Sequence, residues 1–238
     1  MTLLRPALTA LALGFAALPA LAQTAEAPKA PAAPATQPAA PAILPDIALG
    51  SADAPLTIFE YASFTCSHCA DFHTETFPKL KADYIDTGKV RFVQRDIYFD
   101  AVGLWAGILA RCGGDDKYYA VGGMLFDEQR DWISGKDGEA IAANLKKIGA
   151  KAGISAQQVD ACWNDTAKVE QLVATFQKHA TDDKVEATPS FVIAGEQVPN
   201  QDWDKLKAII DAKLAEAEKT AQPAPAAEQA DDKAAGGN

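Results

Sequence analysis

The chain has 238 residues, with 22 Lys and Arg against 32 Asp and Glu, and a formal net charge of −10 at neutral pH. Binding to phosphates needs a basic surface, so this balance argues against a nucleic acid partner. With 48% hydrophobic and 23% charged residues, the composition is that of a globular protein and excludes a multi-span membrane protein. Four cysteines are enough for one redox pair and one structural pair.

Residues 1–22 have the pattern of a cleavable secretory signal. Arg5 precedes an apolar run, which ends in an Ala-Leu-Ala cleavage site at residues 20–22. The run is shorter than the roughly 20 residues of a membrane-spanning helix, which disfavours the alternative of an uncleaved anchor. We therefore expect a protein exported to the periplasm, with no stable membrane insertion.

The next segment, residues 23–45, is mostly Ala and Pro. Such a composition cannot bury an apolar face and predicts an extended linker. Beyond residue 215 the chain consists mainly of Ala, Glu, Lys, Gln and Pro and ends in Gly-Gly-Asn. Residues 216–238 are therefore predicted to be a disordered tail, and no chemistry is assigned to either end.

Residues 56–61 are rich in strand-forming residues on both faces, which predicts a strand covered on both sides. Glu60 shares a face with apolar residues, so it lies either at the end of the sheet in water or buried with a purpose. A helical pattern runs from the CxxC motif at 66–69 to residue 88, with a kink predicted at Pro78. Residues 90–95 form a second predicted strand, so the segment is a right-handed βαβ unit with parallel strands.

Only helical patterns occur between residues 101 and 183, and a capping box of Ser155 and Gln158 starts one of these helices. The other helices are predicted at 102–111, 118–132 and 139–147. Strand character returns at 189–193 and 197–198, before a helix that starts near Trp203. The predicted architecture is an α/β core of three or four strands, built from residues 46–100 and 184–215, with an inserted helical domain at 101–183.

The CxxC motif lies where the first predicted strand ends and its helix begins, which in an exported protein is typical of a redox-active disulfide. Unpaired backbone N–H groups and the helix dipole favour an anion there, so the Cys66 thiolate is expected to be stabilised. His68, when cationic, would stabilise it further. A Cys66–Cys69 disulfide across two residues would be exposed, strained and labile.

Two other interpretations of this motif are an inert structural disulfide and a metal site of Cys66, Cys69, His68 and His73. Zinc normally takes four ligands, but these four residues all lie within one short helical segment. Taken alone, His73 and His179 are expected to be ordinary surface or packing residues.

The segments 64–69 (FTCSHC) and 187–191 (ATPSF), together with Glu60, resemble the DsbA-like periplasmic thiol:disulfide oxidoreductases. The resemblance covers about residues 54–215 and implies a thioredoxin-like fold with an inserted helical domain. Two features differ from the family pattern. Ser-His replaces the Pro-His that most often separates the two cysteines, and the strand exit at 96–99 lacks a proline often found there.

The resemblance also implies a role for each site residue. Cys66 is the exposed nucleophile and Cys69 the resolving cysteine, while Glu60 is a buried acid that could accept or return the proton of Cys69. Pro189 is a cis-proline packed against the disulfide, with an ordinary loop proline as the alternative. A cis bond there would expose the backbone of Thr188 for pairing with an extended substrate strand.

Cys112 and Cys162 both lie in the predicted helical region. In an oxidising compartment we expect them to form a second, structural disulfide. The alternative is a pair of buried free thiols.

The sequence therefore predicts a periplasmic thiol:disulfide oxidoreductase that donates the Cys66–Cys69 disulfide to exported proteins with free cysteines. By family resemblance, a quinone-linked partner in the inner membrane would reoxidise it, and neither a cofactor nor a resident metal is expected. One alternative is a disulfide reductase or isomerase kept reduced by a membrane donor. Another is a metal-binding or chaperone module that uses the cysteines and His68 as ligands.

Overall fold

The computed structural model describes residues 40–221. The predicted signal peptide, most of the predicted linker and the end of the predicted tail lie outside these residues. The strands are β1 (Ala48–Leu49), β2 (Leu56–Ala62), β3 (Val90–Asp96), β4 (Ser190–Ile193) and β5 (Glu196–Pro199). The helices are α1 (Ser67–Asp71), α2 (Phe77–Leu80), α3 (Ala101–Cys112), α4 (Asp115–Asp127), α5 (Gln129–Ile133), α6 (Gly138–Lys151), α7 (Ala156–Asn164), α8 (Thr166–Asp182) and α9 (Trp203–Ala221).

A single sheet holds these strands in the order β1-β3-β2-β4-β5. β2 and β3 are parallel, as the predicted βαβ unit requires, whereas β4 pairs with β2 in the antiparallel direction and β5 with β4 likewise. The described sheet has five strands instead of the three or four predicted. The difference is β1, whose two residues are too few to form a recognisable strand pattern.

The central strand β2 is buried on both faces, as its sequence predicts. Its first half packs in an apolar core with the helical segment that follows the CxxC motif and with α9; this core includes Leu56, Ile58, Phe72, Leu80, Tyr84, Leu206 and Ile210. Its carboxyl end packs instead against the inserted helices, where the rings of Phe64 and Phe126 lie 4.9 Å apart. The insertion therefore covers the end of the strand from which the motif starts.

The helical segment after the motif is irregular around the predicted kink. Two π-helical turns, Phe72–Thr76 and Lys81–Ile85, flank α2. Pro78 lies in the first turn of α2, where a helix needs no backbone N–H donor. The helix is therefore irregular near Pro78, as predicted, but the irregularity consists of two π-helical turns rather than a kink at the proline.

The inserted helices begin at the predicted signals. Ser155 and Gln158 form the predicted capping box at the start of α7. The helix predicted at 118–132 is broken at Glu128 into α4 and α5, because the Glu128 backbone leaves the helical conformation. None of the helices in residues 40–221 is both long enough and apolar enough to cross a membrane.

Buried polar contacts fasten the exit of β3 to the inserted helices. The carboxylate of Asp96 accepts hydrogen bonds from the hydroxyl of Tyr118 at 2.5 Å and from the amide of Gln94 at 3.1 Å. Arg111 on α3 lies 3.5 Å from the same carboxylate. This path into the helices is therefore fixed by a buried ion pair rather than by the proline that the family often has.

The folded region extends beyond both boundaries predicted for it, at residues 46 and 215. Leu44, placed in the predicted linker, donates its backbone N–H to Thr175 Oγ1 on α8 at 2.9 Å. The next acidic residue, Asp46, pairs with Arg95 of β3 at 2.9 Å. At the other end, α9 continues to Ala221, so the boundary predicted at residue 215 lies within a helix.

Cys112 and Cys162 form the expected second disulfide, which links the ends of α3 and α7. Both residues are half-buried. The bond closes a loop with a sequence separation of 50, which corresponds to about 4 kcal/mol in the chain-entropy model.

We expect the Cys112→Ala/Cys162→Ala variant to lose about 2–4 kcal/mol of unfolding free energy, because its unfolded chain is no longer cross-linked. Urea denaturation of the variant and of the parent protein measures this difference. Equal urea midpoints would show that this bond does not stabilise the fold.

Candidate active site

The backbone places Cys66 at the start of a helix, as its sequence position predicts. Cys66 has an extended conformation and caps α1, and its carbonyl accepts the backbone N–H groups of Cys69 at 3.1 Å and Ala70 at 3.2 Å. Cys66 is half-buried, whereas Cys69 is completely buried. Both are free thiols, so the structure shows the reduced form of the pair.

Hydrogen bonds lower the pKa of Cys66 to about 5. The largest contribution is a hydrogen bond from the thiol of Cys69, and a side-chain hydrogen bond from Thr188 adds to it. The backbone N–H groups of Cys69 and His68 act in the same direction, while partial burial opposes all of these effects. With a pKa of about 5, Cys66 is almost fully ionised at pH 7, whereas a thiol with the ordinary pKa is almost fully protonated.

The neighbouring thiol is affected in the opposite direction. Donation of its hydrogen bond to Cys66 raises the pKa of Cys69 far above its ordinary value, and burial and the negative charge of Glu60 raise it further. The reduced pair therefore consists of one thiolate and one thiol. Cys66 has the properties of a nucleophile and leaving group, and Cys69 those of a group that must take up a proton.

The loop before β4 lies directly beside Cys66. The peptide bond between Thr188 and Pro189 is cis, and Pro189 is buried. The thiol of Cys66 lies 3.5 Å from the carbonyl oxygen of Thr188. The structure thus brings together the two motifs that the sequence resemblance joined.

The sequence left open whether Glu60 is exposed at the end of the sheet or buried, and the structure shows that it is buried. Its side chain is completely buried on β2, opposite Gln94 of β3 and Phe191 of β4. Its Oε2 atom lies 2.8 Å from Nε2 of His73, whose side chain is only 6% exposed. His73 is therefore more than the ordinary surface or packing residue that we predicted, since it is the polar partner of Glu60.

His68 occupies a different position from the one predicted for its imidazole. Its side chain is 77% exposed and lies 3.8 Å from the carboxylate of Asp71. The contact with Cys66 comes from the His68 backbone N–H. The helix start, rather than the imidazole, therefore supplies the stabilisation that we had assigned to this residue.

The metal site that was an alternative interpretation of the motif is not assembled in the described residues. Among residues 40–221, no three or more His, Cys, Asp or Glu side chains are arranged to hold a metal ion. His68 faces solvent and His73 pairs with Glu60. The two histidines that the metal interpretation needs are therefore directed to carboxylates rather than to the cysteines.

Gln129 is a site residue that sequence analysis missed. It lies at the start of α5, is buried, and donates its side-chain amide to the carbonyls of Phe64 and Cys66, both at 2.9 Å. The inserted helices thereby hold the backbone of the motif in place. No local pattern could reveal this contact, because it depends on how the insertion packs against the end of β2.

A Gln129→Leu variant is expected to lose about 1–3 kcal/mol of unfolding free energy. The buried carbonyl of Phe64 loses its side-chain donor, and the carbonyl of Cys66 loses one of its three donors. Urea denaturation of the reduced protein measures the loss. Gln157→Leu, the same change at an exposed position on α7, is the matched control and should stay within about 0.5 kcal/mol. Equal losses in the two variants would contradict a specific role for the Gln129 amide.

Comparison with known proteins identifies the family of the chain. Residues 44–212 match the family model described as Thioredoxin. A Rickettsia bellii protein named "Putative protein-disulfide oxidoreductase" is 34% identical over 173 residues, which are 72% of this chain and 65% of that protein. Disulfide bond formation protein D of Bacillus subtilis is 26% identical over 190 residues, covering 73% of this chain and 79% of the relative.

Solved structures extend the likeness to the fold. The crystal structure of Wolbachia pipientis alpha-DsbA1 superposes with a TM-score of 0.68 and 25% sequence identity, covering 76% of this chain and 97% of that one. The predicted thioredoxin-like fold with an inserted helical region is confirmed. The chain spans only about 65% of the Rickettsia relative. The chain belongs to the thioredoxin family, as one of its DsbA-like members.

Proposed function

We propose that this protein is a periplasmic thiol:disulfide oxidoreductase that donates the Cys66–Cys69 disulfide to exported proteins with free cysteines. The observation that carries the proposal is that the pKa of Cys66 is lowered while the pKa of its partner Cys69 is raised. The Thioredoxin family match and the name of the Bacillus subtilis relative support the same chemistry. The secretory signal predicted at residues 1–22 supports the location.

The reaction proceeds through two exchanges of a sulfur–sulfur bond. A substrate thiolate attacks the sulfur of Cys66, the Cys66–Cys69 bond breaks, and its electron pair goes to Cys69, which then takes up a proton. A second thiolate of the substrate attacks the substrate sulfur of the mixed disulfide and expels Cys66 as a thiolate. The substrate is thereby oxidised to a disulfide, and the enzyme is reduced to the dithiol form.

Stabilisation of the Cys66 thiolate sets the direction of this exchange. A thiolate with a low pKa is a good leaving group, and its stabilisation lowers the free energy of the reduced enzyme relative to the oxidised one. The hydrogen bonds from Cys69, from Thr188 and from the helix start therefore favour electron flow from substrate to enzyme. A stable reduced form is the property of an oxidant.

Thr188 is the proposed docking point for the substrate. Its carbonyl oxygen lies 3.5 Å from the Cys66 sulfur, so a substrate strand that pairs with the backbone there would bring its cysteine close to the nucleophile. The reduced enzyme must then be reoxidised. We propose a quinone-linked partner in the inner membrane for that step.

Equilibration with glutathione buffers of known ratio tests the proposed direction. We expect a reduction potential less negative than about −200 mV, which is above the values of glutaredoxins and thioredoxin. Tryptophan fluorescence or alkylation after acid quenching measures the reduced fraction. A potential close to that of thioredoxin, about −270 mV, would favour the alternative of a disulfide reductase.

A further inference from the structure

We infer that His73 is a positioning residue of the disulfide reaction, which holds one oxygen of Glu60 and leaves the other to exchange a proton with Cys69. This inference rests on the proposed function, since it supplies the proton that the first exchange requires. His73 lies outside the CxxC motif at 66–69, so the motif alone does not indicate a role for it.

The contact between His73 and Glu60 is enclosed on all sides. The Glu60 side chain is completely buried, the His73 side chain is 6% exposed, and Nε2 of His73 lies 2.8 Å from Oε2 of Glu60. The imidazole stacks on the ring of Phe126 from α4, with ring centroids 4.0 Å apart and planes inclined by 16°. The stack fixes the plane of the imidazole, and the hydrogen bond then fixes the carboxyl group.

The two oxygens of Glu60 differ in their partners. Oε2 is taken by His73, whereas Oε1 is buried and has no hydrogen-bond partner among residues 40–221. A buried acceptor without a partner is costly and is retained where it serves a purpose. Oε1 is therefore the atom of Glu60 that is available to carry a proton.

The charge of Glu60 acts directly on Cys69. The carboxylate contributes to raising the pKa of Cys69, so the two groups are close enough to influence each other's protonation. Both lie away from solvent, because Cys69 and Glu60 are each 0% exposed. A proton that leaves or reaches Cys69 is therefore best exchanged with a neighbouring buried group.

The proposed step balances within this pair. When the disulfide opens, the electron pair of the sulfur–sulfur bond goes to Cys69, and the protonated carboxyl of Glu60 gives its proton to that sulfur. Glu60 is left as a carboxylate, which the His73 Nε2–H stabilises at Oε2. During reoxidation Cys69 returns the proton to Glu60 as its sulfur forms the new bond.

Rapid mixing of the oxidised protein with a reduced peptide measures the rate of disulfide opening. We expect His73→Leu to lower this rate at least about tenfold, as loss of an oriented proton donor does. His73→Gln keeps an N–H donor and should recover the rate to within about threefold of the wild type. In the His73→Leu background, Glu60→Gln should cause little further loss, because the two residues act as one unit.

His179→Leu is the control for losing a histidine side chain, since His179 lies on α8 among Arg95, Asp46 and Asp183, and it should leave the rate unchanged. A wild-type protein that does not oxidise the peptide would refute the proposed function itself. A competent wild type together with a full rate for His73→Leu would refute only the role of His73. If the rate losses from His73→Leu and Glu60→Gln multiply in the double variant, the two residues act independently, and the role of His73 is also refuted.

A measurement that keeps His73 in place covers the case in which His73→Leu does not fold. In ¹⁵N-histidine spectra of the reduced protein, we expect Nε2 of His73 to carry its proton and to shift when Glu60 is replaced by Gln. An unprotonated Nε2, or a resonance indifferent to Glu60→Gln, would contradict the inference.

Discussion

A Cys69→Ser variant is expected to accumulate mixed disulfides with exported proteins through Cys66. The Cys66 thiolate attacks a disulfide of the partner protein and releases one of its thiolates, but no second thiol on the enzyme remains to displace the adduct. Cys66→Ser keeps only Cys69, whose side chain is completely buried and whose pKa is still raised by burial and by the negative charge of Glu60. We therefore expect at least about tenfold more adduct with Cys69→Ser than with Cys66→Ser.

Non-reducing electrophoresis followed by peptide mapping measures these adducts and identifies the cysteine that carries them. Both variants should be compared at equal concentration against the same preparation of exported proteins. Equal trapping by the two variants, or trapping by neither, would contradict the assignment of Cys66 as the attacking residue.

The second large effect concerns the acidity of Cys66. Titration of the reduced protein by thiolate absorbance should give a midpoint near pH 5. Cys69→Ala removes the hydrogen bond that lowers this pKa most, so its midpoint should rise markedly. Cys69→Ser is the matched control, because its hydroxyl can still donate and should retain part of the shift.

His68→Ala is the informative comparison in the same titration. Because the His68 contact with Cys66 comes from its backbone and its side chain is 77% exposed, the midpoint should stay near 5. A midpoint close to 9 in the parent protein would contradict the account of Cys66. A large rise in His68→Ala would restore the imidazole to the role that the sequence predicted.

The same pKa shift makes the stability of the reduced form depend on pH. A thiol whose folded pKa is lowered stabilises the fold above its unfolded pKa, and this stabilisation is lost as the pH falls through the folded value. For Cys66 that window extends from about 9 down to about 5. The oxidised protein has no such group.

The melting temperature of the reduced protein, relative to that of the oxidised protein, should therefore rise steadily between pH 5 and pH 8. Calorimetry of both forms across this range measures the difference. Cys112–Cys162 must stay intact in both samples, which peptide mapping verifies. A difference that is constant with pH, or that falls as the pH rises, would contradict stabilisation of the Cys66 thiolate.

Local sequence patterns were sufficient for the parts of the site that local backbone geometry determines. The position of Cys66 at a helix start follows from a strand pattern that ends just before the motif, and the capping box at Ser155 follows from residues three apart. The pairing of Cys112 with Cys162 needed only the compartment and the count of cysteines. The identity of Pro189 as a site residue came from the family resemblance, not from periodicity.

The rest depends on contacts between distant segments. Gln129 reaches the motif only because the insertion folds over the end of β2, and the short strand β1 exists only because β3 offers it a free edge. His73 is the instructive case, since its spacing of four residues from Cys69 places both on the buried face of the helix. The spacing is consistent with a buried His73 side chain, but only the fold shows that its partner is Glu60.

The redox state of the Cys66–Cys69 pair in growing cells is the measurement that tests the central claim most directly. Acid quenching followed by alkylation with a mass-tagged reagent separates the dithiol from the disulfide, and Cys112–Cys162 serves as an internal reference that should stay oxidised. An enzyme that donates its disulfide to exported proteins and is reoxidised afterwards should be found mainly as the disulfide. A pair held mainly as the dithiol would contradict this account and show that electrons flow from the protein to its substrates.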